Sequence, residues 1–418
     1  MKKMIFSAAA FAVVAVSAVA VAPTTSEAIP AFARQTGAAC LSCHFQSFPS
    51  LAPMGRAFKE GAFTDVGEQA LVEDEMLSIT SSVNMTMVLR PNFVSQSVNG
   101  VTTKSALIAD QVLMFGGRVG TNTGTFVEWA GAAANFQLLS SVDVGDMKAG
   151  VDFWFAGFGE TSGMEIGSTF GQHGGLLGGK AVSASNTISA NVGDMAGVTF
   201  FAANDMINAS FGLITAGAAF TGGSNGWKLA PMGRLFVHQE VGNFELGLGA
   251  GITSGRTGDA GTVAAVGGAG AAIGTVPAFN ATALTTTLEM KKWMIDAQAQ
   301  GELGDMQVGV YADYAKAGAG TTTRANLFSK LGGQSSGYSI RANIKPLHTV
   351  IVNAGFGILR DADLLGAVTK TTQFQVGAEY EIYQNFVVAL IYNNTKNTTA
   401  ANVVTKTKTT TFDIEALL

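Results

Sequence analysis

Cys40-Leu41-Ser42-Cys43-His44 is the stretch whose residue types and spacing point to a particular chemistry. Two thiols three residues apart, followed at once by a histidine, form the attachment pattern of a c-type haem. The thiols would make thioethers with the porphyrin vinyl groups, and His44 would give iron its proximal nitrogen. Other uses of the pair fit less well. A redox C-x-x-C belongs in a thioredoxin-like βαβ setting, which the flanking residues do not suggest. A structural zinc site needs four ligands, and the chain holds no second cysteine pair. A disulfide between residues three apart would have no need of the histidine.

Neighbouring residues supply candidates for the rest of a haem site. Met54, ten residues beyond His44, is the nearest soft donor for a sixth ligand, and Met/His ligation raises haem potential. Plain packing is its other use. The remaining histidines are His173, His238 and His348. Arg34, Arg56 and Lys59 flank the motif, and a guanidinium suits carboxylates through paired hydrogen bonds. Arg34 and Arg56 are therefore candidates for haem propionates, or for ion pairs with carboxylates such as Glu379 or Glu381. Phe32, Phe45, Phe48 and Phe58 would pack porphyrin faces or form a small core of their own. No built iron site is visible. Glu160, Glu165 and His173 share a loop without the tight spacing of a ligand set.

These residues need elements to hold them. Met1-Lys2-Lys3 and the apolar run from Met4 to Ala22 read as a secretory signal peptide, with Ser26-Glu27-Ala28 placing cleavage before Ile29. Residues 1–28 hold two lysines and one glutamate, so their removal takes the formal charge from −5 to −6. A mildly acidic chain gives no electrostatic footing for nucleic acid. Past residue 28 no apolar run reaches the length of a spanning helix. Yet 47% of residues are hydrophobic, only 13% are charged and Gly numbers 52. Membrane β-barrels have this composition, because each spanning strand carries only a weak alternating signal.

The alternation is there from about residue 76 onward. Phe374, Val376, Ala378, Tyr380 and Ile382 interleave with Gln373, Gln375, Gly377, Glu379 and Glu381. Phe244–Ile252, Tyr338–Ile344 and Val350–Ile358 do the same, giving strands with one apolar face. Tight turns are expected at Gly145-Asp146-Met147, Gly193-Asp194-Met195, Gly242-Asn243-Phe244 and Gly304-Asp305-Met306, and near Asn122, Pro346 and Gln384-Asn385. Longer Gly/Ala/Ser/Thr stretches fall at about 157–182, 204–232 and 254–283. Seven short turns imply eight hairpins, hence about sixteen antiparallel strands with both ends periplasmic, the last strand alternating to Leu418. The expected fold is thus an all-β outer-membrane barrel. Residues 1–28 would be the signal peptide, 29–75 a monohaem module and 76–418 the barrel. The module is too short to bury a haem alone, and a sixteen-strand barrel encloses more space than its side chains fill. The module is expected to plug the lumen from the periplasmic end.

Pro30-Ala31-Phe32-Ala33-Arg34-Gln35-Thr36-Gly37, the C-x-x-C-H motif, Phe48-Pro49-x-Leu51 and Gly55-Arg56-x-Phe58-Lys59 together resemble the fused monohaem cytochrome–porins of the bacterial outer membrane, of which the iron-oxidising outer-membrane cytochromes are members. The likeness in motif covers about thirty residues; beyond them only the architecture matches. It implies one covalent haem c, extracellular Fe(II) as electron donor, a periplasmic c-type cytochrome as acceptor and an Fe(II):cytochrome c oxidoreductase type of activity. One haem cannot span a hydrocarbon core of about 30 Å, so the acceptor would have to dock at the barrel mouth. A diffusion porin with a haem-bearing plug, or a conduit serving another donor, are the rival expectations.

Overall fold

The computed structural model describes residues 30–46, 50–67, 69–75, 77–129, 131, 134–155, 184, 195–216, 228–258, 287–321, 324–329 and 331–418. The expected signal peptide, Phe48 and the loop carrying Glu160, Glu165 and His173 lie outside them.

Three short helices come first: α1 (Pro30–Thr36), α2 (Cys40–Cys43) and α3 (Pro53–Glu60). A separate hairpin follows, β1 (Leu71–Asp74) with β2 (Leu77–Thr80). It straddles residue 75, so the barrel proper opens at Met85. Its strands are β3 (Met85–Val98), β4 (Val101–Gly120), β5 (Thr123–Trp129), β6 (Ala134–Val144), β7 (Met147–Phe155), β8 (Met195–Ala203), β9 (Ile207–Ala216), β10 (Ala230–Val241) and β11 (Phe244–Thr253). A two-stranded sheet, β12 (Arg256–Gly258) with β13 (Thr287–Glu289), interrupts them at the loop end. Then come β14 (Lys292–Leu303), β15 (Met306–Ala317), β16 (Gly332–Leu347), β17 (Val350–Asp363), β18 (Val368–Tyr383), β19 (Phe386–Thr398) and β20 (Val404–Leu417). β20 pairs back onto β3, closing a sixteen-strand antiparallel barrel. Closure leaves no open edge, the condition for sheet in hydrocarbon.

Alternation sorts the two faces as expected. On β11, Leu246, Leu248 and Ile252 face out, with Leu248 64% exposed, while Glu245 faces in at 7%. On β18, Phe374 and Val376 are exposed while Gln375, Glu379 and Glu381 are buried. An apolar exterior around a polar interior is stable only with lipid outside, so this is a membrane-spanning, porin-like barrel. Buried and half-buried ion pairs bridge strands on the inner wall. Arg234 Nη1 lies 2.6 Å from Asp296, Lys345 Nζ lies 2.8 Å from Glu381 and Arg90 Nη2 lies 2.8 Å from Asp413.

Seven short connections lie at one end, but one of them is displaced from its expected position. Of the expected turn Gly193-Asp194-Met195, residues 193–194 lie outside the described residues, and Met195 opens β8 at the loop end, opposite Ala216. The tight connection is Asn204-Asp205-Met206, inside the 204–232 stretch expected to be a long loop. Asn204 Oδ1 accepts hydrogen bonds from the backbone N–H groups of Met206 and Ile207, each at 3.0 Å, and closes that turn itself. At the opposite end Asn99 and Gly100 make a two-residue hairpin with both φ values positive (49° and 95°). Loop-end connections are therefore not all long.

Apolar clusters meet the inner wall at two levels. Near the short-turn end, Phe58, Ala62 and Phe63 of the N-terminal segment pack on Val88, Val112, Met114, Phe126, Leu139 and Leu417 of the wall. Near the loop end, inward Trp154, Met195, Met232 and Met294 gather with Leu288, Met290, Leu327 and Phe328 from the connecting segments.

Candidate functional site

α2 is a single helical turn, so Cys40 and Cys43 come round to the same side, and the His44 N–H donates to the Cys40 carbonyl at 2.8 Å. His44 then leaves in extended conformation and bridges Leu51. Phe45 N–H to Ser50 O (2.8 Å) and Ala52 N–H to Cys43 O (2.9 Å) hold the return of the chain. No disulfide joins the cysteines. Cys40 and His44 are buried. Burial also pushes the Cys43 thiol up from its ordinary pKa, so it stays protonated. Gly55 lets α3 lie against this turn, since a Cβ there would sit 2.0 Å from the Cys43 carbonyl oxygen. Two thiols one turn apart, followed by an imidazole, form a donor set that fits covalent haem c. Cys40 and Cys43 would hold the porphyrin and His44 the iron.

Polar groups tie the segment to the barrel wall alongside the apolar cluster around Phe58 and Phe63. The Ala31 N–H donates to Thr86 Oγ1 (2.9 Å). Gln35 Nε2 donates to the carbonyls of Phe63 (2.6 Å) and Asp65 (2.8 Å), while its Oε1 accepts from the Arg118 N–H at 3.0 Å. Gln46 Nε2 reaches the Gln307 carbonyl (2.9 Å), and Lys345 Nζ reaches the Gln46 carbonyl (2.9 Å). All these wall residues lie toward the short-turn end of their strands. Gly124 on β5 shows how close the approach is, because a Cβ there would stand 2.0 Å from the Ala62 carbonyl.

Arg56 lies at the centre of the contact. Its Nη2 binds both carboxylate oxygens of Glu245 on β11, and its Nη1 donates to the Leu51 carbonyl at 3.1 Å. Both side chains are buried. His238 Nδ1 lies 3.7 Å from Glu245, and Asn208 Nδ2 donates to Glu60 Oε1 at 2.9 Å. Burial raises the Glu60 pKa, against the Asn208 hydrogen bond and the nearby charges of Arg56, His238 and Lys59. The ion-pair partner of Arg56 is thus Glu245, not Glu379 or Glu381; Glu381 pairs with Lys345. Arg34 is exposed and donates to the Met85 carbonyl at 3.2 Å. Met54 is 54% exposed on the first turn of α3, and His348 is exposed in a turn. Phe32 and Phe58 meet edge to face at 5.2 Å, and Phe32 stacks on Phe63 at 5.1 Å and packs beside Phe126 at 5.6 Å, forming a core with the wall. Among the described residues no group of three His, Cys, Asp or Glu side chains could hold a separate metal ion.

Glu245, Asn208, Gln46 and Lys345 did not stand out in the sequence. The one local signal is on β11, where Glu245 is inward among Gly247, Gly249 and Gly251, an isolated charge on an otherwise bare stripe.

No family model matches the chain, and no curated protein matches it. Solved outer-membrane barrels do. It is similar to OmpT, an outer membrane protein of Vibrio cholerae, at 13% identity and a TM-score of 0.46, over 83% of this chain and 99% of that one. It is similar to the outer membrane channel DcaP of Acinetobacter baumannii at 11% identity and a TM-score of 0.48, over 81% and 97%. An anion-selective porin from Comamonas acidovorans matches at 13% identity and a TM-score of 0.46, over 81% and 99%.

Proposed function

We propose that the protein is an electron conduit in a bacterial outer membrane, with one haem c attached at Cys40 and Cys43 and His44 on the iron. The reading is carried by the Cys40–Cys43 turn, undisulfided and followed by buried His44, seated against the lumenal wall of a membrane barrel. The bound haem supplies a one-electron ferric/ferrous couple. Extracellular Fe(II) is the donor and loses one electron; a periplasmic c-type cytochrome gains it.

The chain's own residues do the positioning. Gly55 lets α3 brace the motif, and Arg56 and Glu245 lock that helix to β11. Because Arg56 is committed to Glu245, Arg34 at the exposed rim is the arginine with more freedom to reach a propionate. Met54 projects from α3 without being buried in packing, and it is the proposed sixth ligand. Every anchor is at the short-turn end, so a periplasmic acceptor docking there comes near the motif. The apolar wall insulates the path sideways.

The test is the visible spectrum of the purified, oxidised protein during anaerobic addition of Fe(II). Prompt growth of the sharp α-band of ferrous haem c, lost in Cys40→Ser/Cys43→Ser, is the expected result. A band that answers dithionite and not Fe(II), at acidic and neutral pH, would replace iron by another donor. No covalent haem in protein matured with cytochrome c assembly machinery would overturn the reading in favour of a diffusion porin.

A further inference from the structure

The outside of β17–β20, β3 and β4 changes character toward the loop end. Alternate residues on these strands form the lipid-facing belt, ending at Ile358, Phe374, Tyr392, Phe412, Phe93 and Ala106. One to three outward positions further on, in the same alternation phase, come Arg360, Lys370, Lys396, Lys408 with Lys406, and Lys104. All six are exposed. The register sets them side by side. Arg360 is the cross-strand partner of Lys370, and Lys396 of Lys406. Lys408 and Lys104 stand opposite Ser97 and Ser95 of β3, which lies between them.

Like charges directly opposite each other on a sheet destabilise it. No described residue offsets this array. None of the six makes an ion pair among the described residues, and the described outward face of these six strands carries no carboxylate. Outward Thr372, Asn394 and Thr410 add hydrogen-bonding groups between the aromatic end of the belt and the cations. Among the described residues no countercharge meets the array, which lies at the depth where the apolar belt stops.

We propose that this array is a binding site for the phosphate groups of an anionic lipid in the loop-side leaflet. The belt holds the acyl chains, while the cations and the hydroxyls beside them take a headgroup with more than one phosphate. A soluble anion could match the charge but not the continuity with the belt. Lysine meets phosphate as a point charge, and Arg360 can bind it bidentately.

The test titrates the intact protein, in uncharged detergent, with a bis-phosphorylated lipid, with phosphatidylcholine and with inorganic phosphate. Native mass spectrometry counts the retained molecules. The wild type should hold the bis-phosphorylated lipid selectively, and added salt should release it. Lys396→Gln/Lys406→Gln and the quadruple variant that adds Arg360→Gln/Lys370→Gln should weaken binding by about fivefold per cation removed. Heat-modifiable electrophoretic migration reports that each barrel is folded; should the quadruple variant not fold, the double variant still decides. Unchanged affinity in a folded variant, or equal retention of phosphatidylcholine, would overturn the proposal. Inorganic phosphate competing at the same concentration as the lipid would also overturn it, in favour of a soluble-anion site.

Discussion

Arg56 and Glu245 are each buried, and each is the other's charge partner. Removing one leaves an uncompensated charge, which costs about 3–5 kcal/mol in such settings. Arg56→Ala should therefore loosen α3 from β11 and open residues 30–67 to protease while the barrel stays folded. Arg56→Ala/Glu245→Ala should recover part of the loss, and the double-mutant cycle measures the coupling. Arg56→Lys should behave more like alanine than like arginine, because lysine cannot reproduce the two-oxygen contact. Glu60 makes the same contact sensitive to pH. Its carboxyl pKa is raised by burial, so the seated segment binds more protons than the released one in the window above the ordinary value of 4.5. Its contribution is complete below that value and is lost as pH rises through the raised pKa. Glu60→Gln keeps an oxygen for Asn208 and removes the charge. Protection of the segment against hydrogen exchange should then be higher at neutral pH and flatter between pH 4 and pH 8. An unchanged pH profile would mean that Glu60 does not govern the seating.

At the scale of elements, glycine decides how near helix, turn and wall can come. Gly55→Ala pushes a methyl toward the Cys43 carbonyl, and Gly124→Ala pushes one toward the Ala62 carbonyl. Both variants should form heat-modifiable barrels, yet Gly55→Ala should lower covalent haem yield and Gly124→Ala should expose residues 60–67 to protease. Equal haem yield in Gly55→Ala would show that α3 does not brace the motif. The elements differ in how well the sequence announces them. β11, β16, β17 and β18 are legible because lipid outside and a polar lumen inside enforce strict alternation. Turns are less so: Gly193-Asp194 and Asn204-Asp205 both offer turn-forming residues, and only the pairing of β8 with β9 shows that the chain reverses at Asn204-Asp205. The C-x-x-C-H turn is fully local and could be read outright. Its wall could not, since Glu245 is 189 residues from Arg56 and Gln307 is 261 from Gln46. Contacts of that separation are set by which strand phases meet across the lumen, and no local pattern carries them.

At the scale of the whole molecule, two apolar clusters lie at different levels on the inner side of one barrel wall. At the short-turn end Phe58 and Phe63 of the N-terminal segment pack together with Phe126 of the wall. Leu288, Met290, Leu327 and Phe328 close on Met232 and Met294 toward the loop end. Between these levels the wall is ionic, with Arg234–Asp296 buried across it. An apolar level of this kind resists ions by excluding water rather than by charge. Where two comparable resistances stand in series, the one left intact still limits the conductance, so relieving either alone should change little. Intact protein in planar bilayers should conduct far less than an open sixteen-strand pore. Leu327→Ser/Phe328→Ser, which wets the loop-end level, and Arg56→Ala, which loosens the segment, should each raise conductance slightly. Combined, they should raise it by much more than the sum of the two. Such non-additivity would separate an electron conduit that holds solutes back from a porin with a decorative plug. Large conductance in the unaltered protein would show that the lumen is a solute path, and the haem module would then be read as a gate on it.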